Sequence, residues 1–92
     1  MKYRSRTDIA SQMLTAANGG ASKTKIMYKA FLSYAQLSEY ISVLIANELL
    51  EYDQNRQTYK TTEKGLRFLK IYNQIATYVQ TEDQLLTDKP RL

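Results

Sequence analysis

Residues 32–41 read LSYAQLSEYI and contain the clearest helix start in the chain. The Ser33 hydroxyl can accept a hydrogen bond from the backbone amide of Gln36, and the Gln36 side chain can reach back to the Ser33 amide, which is the capping-box pattern. Leu32 and Leu37 stand where a hydrophobic staple requires apolar residues on either side of that box. The stretch therefore predicts a helix with a well-defined first residue.

The predicted helix divides into an apolar stripe and an almost uncharged outer face. Helical spacing places one set of residues on the inner side: Leu37, Ile41, Leu44, Ile45 and Glu48. The outer side carries Ala35, Gln36, Glu39, Ser42, Val43 and Ala46. An outer face with a single charge is unusual for a helix that meets only solvent.

Two shorter helices are predicted before this one. The first has Thr7 as its N-cap and ends at Asn18-Gly19-Gly20, and its apolar positions at helical spacing are Ile9, Met13 and Ala17. The second opens at Ser22 or Lys23, and its apolar positions are Ile26 and Ala30.

A β-hairpin is predicted after the third helix. Two short strand-like stretches, 49–53 and 58–61, are separated by the polar turn 54–57. The expected inward positions are Leu50, Tyr52 and Tyr59.

A long helix is predicted next, capped by Thr61 or Thr62 and continuing to Leu86 before Pro90. Its apolar stripe follows alternating spacings of three and four, with one polar interruption: Phe68, Ile71, Ile75, Tyr78, Glu82 and Leu85. Such a stripe is too long for a small domain to cover, so we expect dimerisation. The alternative is that Leu66, Phe68 and Leu69 pack on the domain's own core and the remainder frays.

Composition limits the functions that are open to the chain. At 92 residues it is one domain, and it has no Cys and no His, which excludes disulfides, thiolate or imidazole metal sites and the usual general base. No carboxylate pair, glycine-rich phosphate loop or nucleophile–base spacing is visible, so we expect no enzyme, no cofactor and no metal. Apolar runs are far shorter than a membrane span, and we expect a soluble intracellular protein with no membrane partner.

The basic residues are unevenly distributed, although the net charge is only +4. Residues 1–31 contain six Lys and Arg against one Asp, and residues 54–75 contain five against one Glu. Residues 32–53 contain four acidic side chains and no basic one. Two positive segments can indicate a nucleic-acid partner, or they can be a solvated surface.

The order of three helices, a hairpin and a further helix describes a winged helix-turn-helix. The residues themselves carry a resemblance: Lys25-Ile26-Met27-Tyr28, then Leu32 to Ile41, then Thr62-Glu63-Lys64-Gly65. The chain resembles a family of small archaeal winged-helix proteins that includes chromatin-associated DNA-binding dimers and predicted transcriptional regulators. The resemblance implies a mainly α (α+β) fold, a homodimer joined by an antiparallel coiled coil, and a cytoplasmic, nucleoid-associated location. Many winged helices have Gly after the third helix where Glu48 stands, which makes Asn47 the candidate for the left-handed position.

The resulting functional expectation is a protein that binds double-stranded DNA as a regulator or chromatin component. The expected DNA-binding residues are Lys23, Lys25, Lys29, Ser33, Tyr34, Gln36, Ser38, Tyr40, Ser42, Asn55 and Arg56. Lys2, Arg4 and Arg6 are further candidates for phosphate contacts. Four residues of the predicted third helix have an alternative role. Gln36 could be occupied by the capping box, and Glu39 could repel phosphate. Tyr34 and Tyr40 could be core residues.

The expected division of the chain is a winged-helix domain over 1–61, a dimerisation helix over 62–88 and a tail over 89–92. The expected dimer-interface residues are Phe68, Ile71, Tyr72, Ile75, Tyr78, Val79 and Leu85. The alternative function is a winged-helix module that contacts protein or RNA without binding duplex DNA.

Overall fold

The computed structural model describes residues 4–78. It contains, in chain order, α1 (Arg6–Ala17), α2 (Lys23–Lys29), α3 (Tyr34–Ala46), β1 (Leu50–Asp53), β2 (Thr58–Thr61) and α4 (Glu63–Tyr78). The predicted order of three helices, a hairpin and a fourth helix is confirmed. Within these residues no helix combines the length and the apolar character needed to cross a bilayer.

The first helix begins earlier than predicted. Ser5, not Thr7, is the N-cap: its hydroxyl accepts from the Asp8 amide at 3.0 Å, and the Asp8 carboxylate accepts from the Ser5 amide at 3.0 Å. The reciprocal pair satisfies two backbone amides and places Asp8 at the positive end of the helix dipole. The prediction of Thr7 was wrong because an acidic residue three positions after Ser5 completes a capping box that Thr7 cannot form.

The N-termini of α2 and α3 are as predicted. Ser22 caps α2 by accepting from the Lys25 amide at 3.1 Å. Ser33 accepts from the Gln36 amide at 3.2 Å, and the Gln36 side chain accepts from the Ser33 amide at 3.0 Å. Leu32 and Leu37 are both buried, as a hydrophobic staple requires.

Both α2 and α3 end in a Schellman motif, in which the left-handed position is held by a residue other than glycine. After α2, the Phe31 and Leu32 amides donate to the Tyr28 and Met27 carbonyls, and φ of Phe31 is +56°. After α3, Glu48 takes the same position with φ +63°. The candidate Asn47 is not left-handed, because its φ is −94° and it serves as the C-cap.

The core lies between α1, α2, α3 and the start of the hairpin. Its largest fully buried side chains are Met13, Leu14, Ile26, Leu37, Leu44 and Leu50. One predicted inward position of α3 is wrong, because Ile45 is 38% exposed, and Tyr40 is buried in the stripe instead. Tyr40 follows Leu37 by three residues and precedes Leu44 by four, so it lies on the same side of the helix. Glu48 is also exposed, since the helix has ended before it.

The hairpin is antiparallel and pairs Leu50 with Thr61 and Tyr52 with Tyr59. Leu50 is buried as predicted, whereas Tyr52 is 48% exposed and covers Tyr59 with a ring-centroid distance of 4.8 Å. The inward residue of β2 is Thr61, whose buried hydroxyl donates to the Leu14 carbonyl at 2.6 Å. The expected inward position of Tyr52 was wrong because it lies near the hairpin end, beyond the reach of the helical core.

A third backbone segment pairs with the hairpin. Ala21 and Tyr59 exchange two backbone hydrogen bonds of 2.8 Å each. These bonds tie the loop between α1 and α2 to β2.

Thr62 is the N-cap of α4, one of the two residues predicted for that role. Its hydroxyl accepts from the Gly65 amide at 3.0 Å and donates to the Glu48 carbonyl at 2.7 Å. Gly65 is buried, and a Cβ atom there would lie 2.4 Å from the Leu49 carbonyl oxygen and 2.6 Å from Thr61 Cγ2. Glycine at this position lets α4 approach the hairpin backbone.

Further along, α4 packs on α1. Phe68 and Leu69 are half-buried against the core, whereas Leu66 is 41% exposed. The Tyr72 hydroxyl donates to the Asp8 carboxylate. The hydrogen bond from Tyr72 is the largest cause that lowers the pKa of Asp8, and the hydrogen bond from the Ser5 amide is the second. The same Tyr72–Asp8 bond raises the pKa of Tyr72.

We predict that Gly65→Ala destabilises the fold by about 1–2 kcal/mol, although alanine is the better helix former. The overpacking cost of about 1–3 kcal/mol should exceed the helix-propensity gain of about 1 kcal/mol. Chemical denaturation measures the free energy of unfolding. Ala76→Gly, at an exposed position without a close backbone contact in the same helix, is the control and should cost about 1 kcal/mol. A more stable Gly65→Ala variant would refute the close approach.

We predict that Tyr72→Phe flattens the dependence of stability on pH at both ends. Because the pKa of Asp8 is lowered in the folded state, its contribution is present above about pH 4 and is lost as pH falls further. Because the pKa of Tyr72 is raised, its contribution is present below about pH 10 and is lost as pH rises further. Thermal midpoints across this range are the measurement. Tyr78→Phe is the control on the same helix, and equal profiles for Tyr72→Phe and the parent protein would contradict the pairing.

Candidate nucleic-acid interface

The outer face of α3 is open to solvent and offers hydrogen-bonding groups. Tyr34 is 64% exposed, Gln36 and Ser42 are exposed, and Ser38 is half-buried. Tyrosine, glutamine and serine side chains can all bond to base edges or phosphates. The capping box fixes where this face begins, and the staple holds it against the core.

Tyr40 does not belong to this face. It is 7% exposed, and the Arg6 guanidinium lies over its ring at 4.9 Å from the centroid. Arg6 also reaches the Glu39 carboxylate at 3.8 Å. Tyr40 was expected to contact DNA, and the structure corrects this, because its position on the apolar stripe turns the ring into the core.

One of the two polar side-chain atoms of Gln36 is hydrogen-bonded within the capping box of α3. Its Oε1 accepts from the Ser33 amide at 3.0 Å, which leaves the side-chain amide hydrogens free. Bidentate pairing with adenine needs both the oxygen and the amide, so it would compete with the capping box. Ser33 is also exposed, and its hydroxyl accepts from the Gln36 amide.

The three lysines of α2 do not lie together. Lys23 sits against α3: its Nζ is 3.4 Å from the Tyr34 hydroxyl and 5.0 Å from the ring centroid. The hydrogen bond from Lys23 lowers the pKa of Tyr34, and the positive charge of Lys23 lowers it further. Lys25 and Lys29 instead line a groove of about 440 Å³ between α1 and α2, with Ser11, Gln12, Thr15, Ala16 and Asn18.

Arg4 is engaged within the fold. Its guanidinium donates to the Gln12 side chain, to the Ala30 carbonyl and, at 2.9 Å, to the Phe31 carbonyl. It was a candidate for phosphate contact, and the structure shows instead a residue that holds the turn between α2 and α3. Lys2 lies outside the described residues.

The β1–β2 hairpin, which is the wing of the winged helix, presents its polar tip as expected. The backbone amides of Asn55 and Arg56 both donate to Asp53 Oδ1, at 3.0 and 3.3 Å. This Asx-type turn leaves both side chains exposed, and Gln57 closes it with φ +53°. Asp53, which in the sequence is only one of four acidic side chains between residues 32 and 53, determines the shape of the tip.

The sequence predicted no role for Tyr28 or Phe31, the aromatic residues at the turn between α2 and α3. Tyr28 is 70% exposed and Phe31 is 78% exposed. Three aromatic residues within seven positions, 28–34, were the available signal. The apolar pattern of α2 did not predict that these side chains are exposed to solvent, because their exposure depends on the conformation of the turn.

The apolar stripe of α4 is half covered. Phe68 packs on the core and Tyr72 is paired with Asp8, so both residues have contacts within their own chain. Ile71, Ile75 and Tyr78 are exposed, by 54%, 56% and 88%. The predicted interface residues Val79 and Leu85, like the extension to Leu86 and the tail, lie outside the described residues.

The α4 stripe also borders an apolar groove. The groove, about 650 Å³ in volume, runs between the start of α1 and α4, and its lining includes Phe68, Ile71, Ile75 and Ala76. No cluster of side chains suited to a metal ion occurs within residues 4–78.

The helix-turn-helix, the two-stranded wing and the exposed outer face of α3 together define a class of protein. Residues 3–80 match the family model described as winged helix-turn-helix, and the chain therefore belongs to that family. Among solved structures, it is similar to Sso10a-2, described as a DNA-binding protein from Sulfolobus solfataricus. The TM-score is 0.72 at 18% identity, over 97% of this chain and 99% of that chain, which establishes a common fold. The comparison with curated proteins gives no sequence match.

Proposed function

We propose that this protein binds double-stranded DNA with the outer face of α3 in the major groove and the hairpin tip against the backbone or minor groove. The observation that carries the proposal is the exposed, hydrogen-bonding face of α3, which the turn after α2 positions beside Lys23. The winged-helix fold and the description of Sso10a-2 as a DNA-binding protein support it. The role is that of a binding protein and not of an enzyme.

Attraction to phosphate has to come from residues around α3, because α3 itself contains no Lys or Arg. Lys23 borders its first turn, and Arg56 is the only charged side chain in the turn of the wing. The bidentate contact of arginine with guanine, the commonest specific contact, is not available from α3. We therefore expect modest or shape-based sequence preference.

The biological role within this proposal is a transcriptional regulator or a chromatin-associated protein. Genome-wide mapping of bound sites separates these roles, since a regulator gives sharp peaks and a packaging protein gives even coverage. A module for protein or RNA contact is the alternative, and failure to bind duplex DNA at low salt would favour it.

We further propose that the protein is a homodimer joined along α4. The exposed residues Ile71, Ile75 and Tyr78 follow one side of the helix at spacings of four and three. A second copy of the same stripe is the simplest cover for an exposed apolar surface of this kind. An antiparallel pairing would place the two-fold axis near Ile75 to Tyr78 and hold two reading heads at a spacing set by a helix.

We predict that replacing Lys23 and Arg56 together by alanine weakens duplex binding and reduces its dependence on salt. Each lost phosphate contact removes about 0.9 from the slope of log affinity against log salt, so two contacts remove about 1.8. Fluorescence anisotropy with labelled duplex over a salt series is the measurement. Lys64→Ala with Lys70→Ala, two exposed positions of α4, is the charge-matched control. An unchanged slope in the Lys23 and Arg56 variant would sink the assignment of both residues.

We predict that Ile75→Asp converts the dimer into a folded monomer with weaker DNA binding. The substitution would place two like charges across the proposed axis in an apolar seam, where unpaired buried charge is strongly disfavoured. Sedimentation velocity gives the oligomeric state and circular dichroism gives the fold. Asn73→Asp adds the same charge to an exposed position outside the stripe and should leave the dimer intact. A dimer of Ile75→Asp at micromolar concentration would rule out this interface.

A further inference from the structure

The turn between α2 and α3 displays an exposed aromatic side chain at a strained backbone position. Phe31 has φ +56° and is 78% exposed, so its ring is not held there by burial. The left-handed position of a Schellman motif favours glycine or asparagine, and a bulky aromatic residue there costs free energy. Strain of this kind at an exposed position points to a function that the ring itself performs.

The backbone of this turn is held firmly. Arg4 donates to the carbonyls of Ala30 and Phe31, and the Phe31 amide donates to the Tyr28 carbonyl at 3.3 Å. Tyr28, in the last turn of α2, is 70% exposed. Two aromatic side chains are thus presented to solvent from a segment whose main-chain groups are satisfied.

A basic groove adjoins the aromatic turn. Lys25 and Lys29 line the groove between α1 and α2 together with Gln12. The Arg4 guanidinium, which binds the Phe31 carbonyl, also donates to Gln12, so the end of the groove and the turn are joined through one side chain. Within residues 4–78, Arg4, Lys25 and Lys29 form no ion pair, and no Asp or Glu occurs between positions 9 and 38.

The chemistry of this surface suits a polyanion that also offers flat apolar faces. A duplex carries phosphates but keeps its base faces stacked inside, whereas a single strand exposes both. From this combination we infer that the groove and the aromatic turn form a binding site for single-stranded nucleic acid. Phosphates lie along Lys25 and Lys29, and bases stack on Phe31 and Tyr28. The site is separate from the α3 face and stands or falls independently of duplex binding.

The first test removes the ring while easing the backbone. Phe31→Asn should raise the thermal midpoint, because asparagine tolerates the left-handed conformation, and should weaken binding of an oligothymidylate about 10-fold, the range expected for loss of one stacked base. Affinity for a duplex should stay within about twofold, since duplex phosphate contacts are untouched. Phe31→Tyr, which keeps a ring, should retain single-strand binding. Anisotropy with labelled strands measures each affinity.

The second test acts on the groove and does not depend on the Phe31 variants folding. Lys25→Ala with Lys29→Ala should lower the salt slope for the single strand by about 1.4, at about 0.7 per contact. Contrary to the expectation from the sequence, the duplex slope should stay unchanged, because these two lysines line the groove between α1 and α2 and only Lys23 reaches α3. Lys64→Ala with Lys70→Ala is the charge-matched control. An oligouridylate run in parallel distinguishes a DNA strand from an RNA strand as the preferred ligand.

Three results would overturn the inference. The first is the absence of binding to either single strand at low salt, which leaves the duplex proposal standing. The second is an equal loss of single-strand and duplex affinity in Phe31→Asn, which would place the ring in the duplex interface. The third is a change in sedimentation of Phe31→Asn, which would identify the aromatic turn as a protein contact.

Discussion

The contact between the start of α4 and the end of α3 is the constraint on which the rest of the structure depends. Thr62 binds the Glu48 carbonyl, and Gly65 lies against the Leu49 carbonyl, so the end of α3, the base of the hairpin and the start of α4 meet at one point. That point sets where the wing leaves α3 and the direction in which α4 crosses α1. The distance between the wing tip and the outer face of α3, and the exposure of the α4 stripe, follow from it.

The two helices of the helix-turn-helix end in the same backbone motif, but different groups stabilise the two ends. At Glu48 the strained residue is followed by the junction with Thr62, whose hydroxyl satisfies the Glu48 carbonyl. At Phe31 the carbonyls of Ala30 and Phe31 accept hydrogen bonds from Arg4, which precedes α1. Arg4 is therefore part of the helix-turn-helix, because it holds the turn that orients α3.

Local patterns predicted the elements well, and contacts between distant segments account for the errors. The Ser33 capping box, the glycine pair after α1 and the hairpin turn each depend on residues within a few positions, and the structure agrees with all three. The need for glycine at position 65 depends on a carbonyl sixteen residues earlier, and Arg4 binds a turn 27 residues away. The burial of Tyr40 and the exposure of Ile45 depend on how α3 rolls on α1, which helical spacing alone leaves open. Helical spacing likewise could not predict that Lys23 lies against α3 while Lys25 and Lys29 line the groove between α1 and α2.

The distribution of cations limits the duplex-binding mode that we propose for α3. The one carboxylate on its outer face, Glu39, lies 3.8 Å from Arg6, and because both side chains are largely exposed this pair contributes little to stability. Its effect is on charge, since Arg6 offsets a negative group that phosphates would otherwise meet. In the proposed duplex complex, Lys23 at one end of α3 and Arg56 on the wing would supply the attraction to phosphate. The middle of α3, where Arg6 offsets Glu39, would then contribute hydrogen bonds without net charge. Under that proposal, sequence choice and phosphate affinity lie in different residues, so either property can change by substitution without loss of the other.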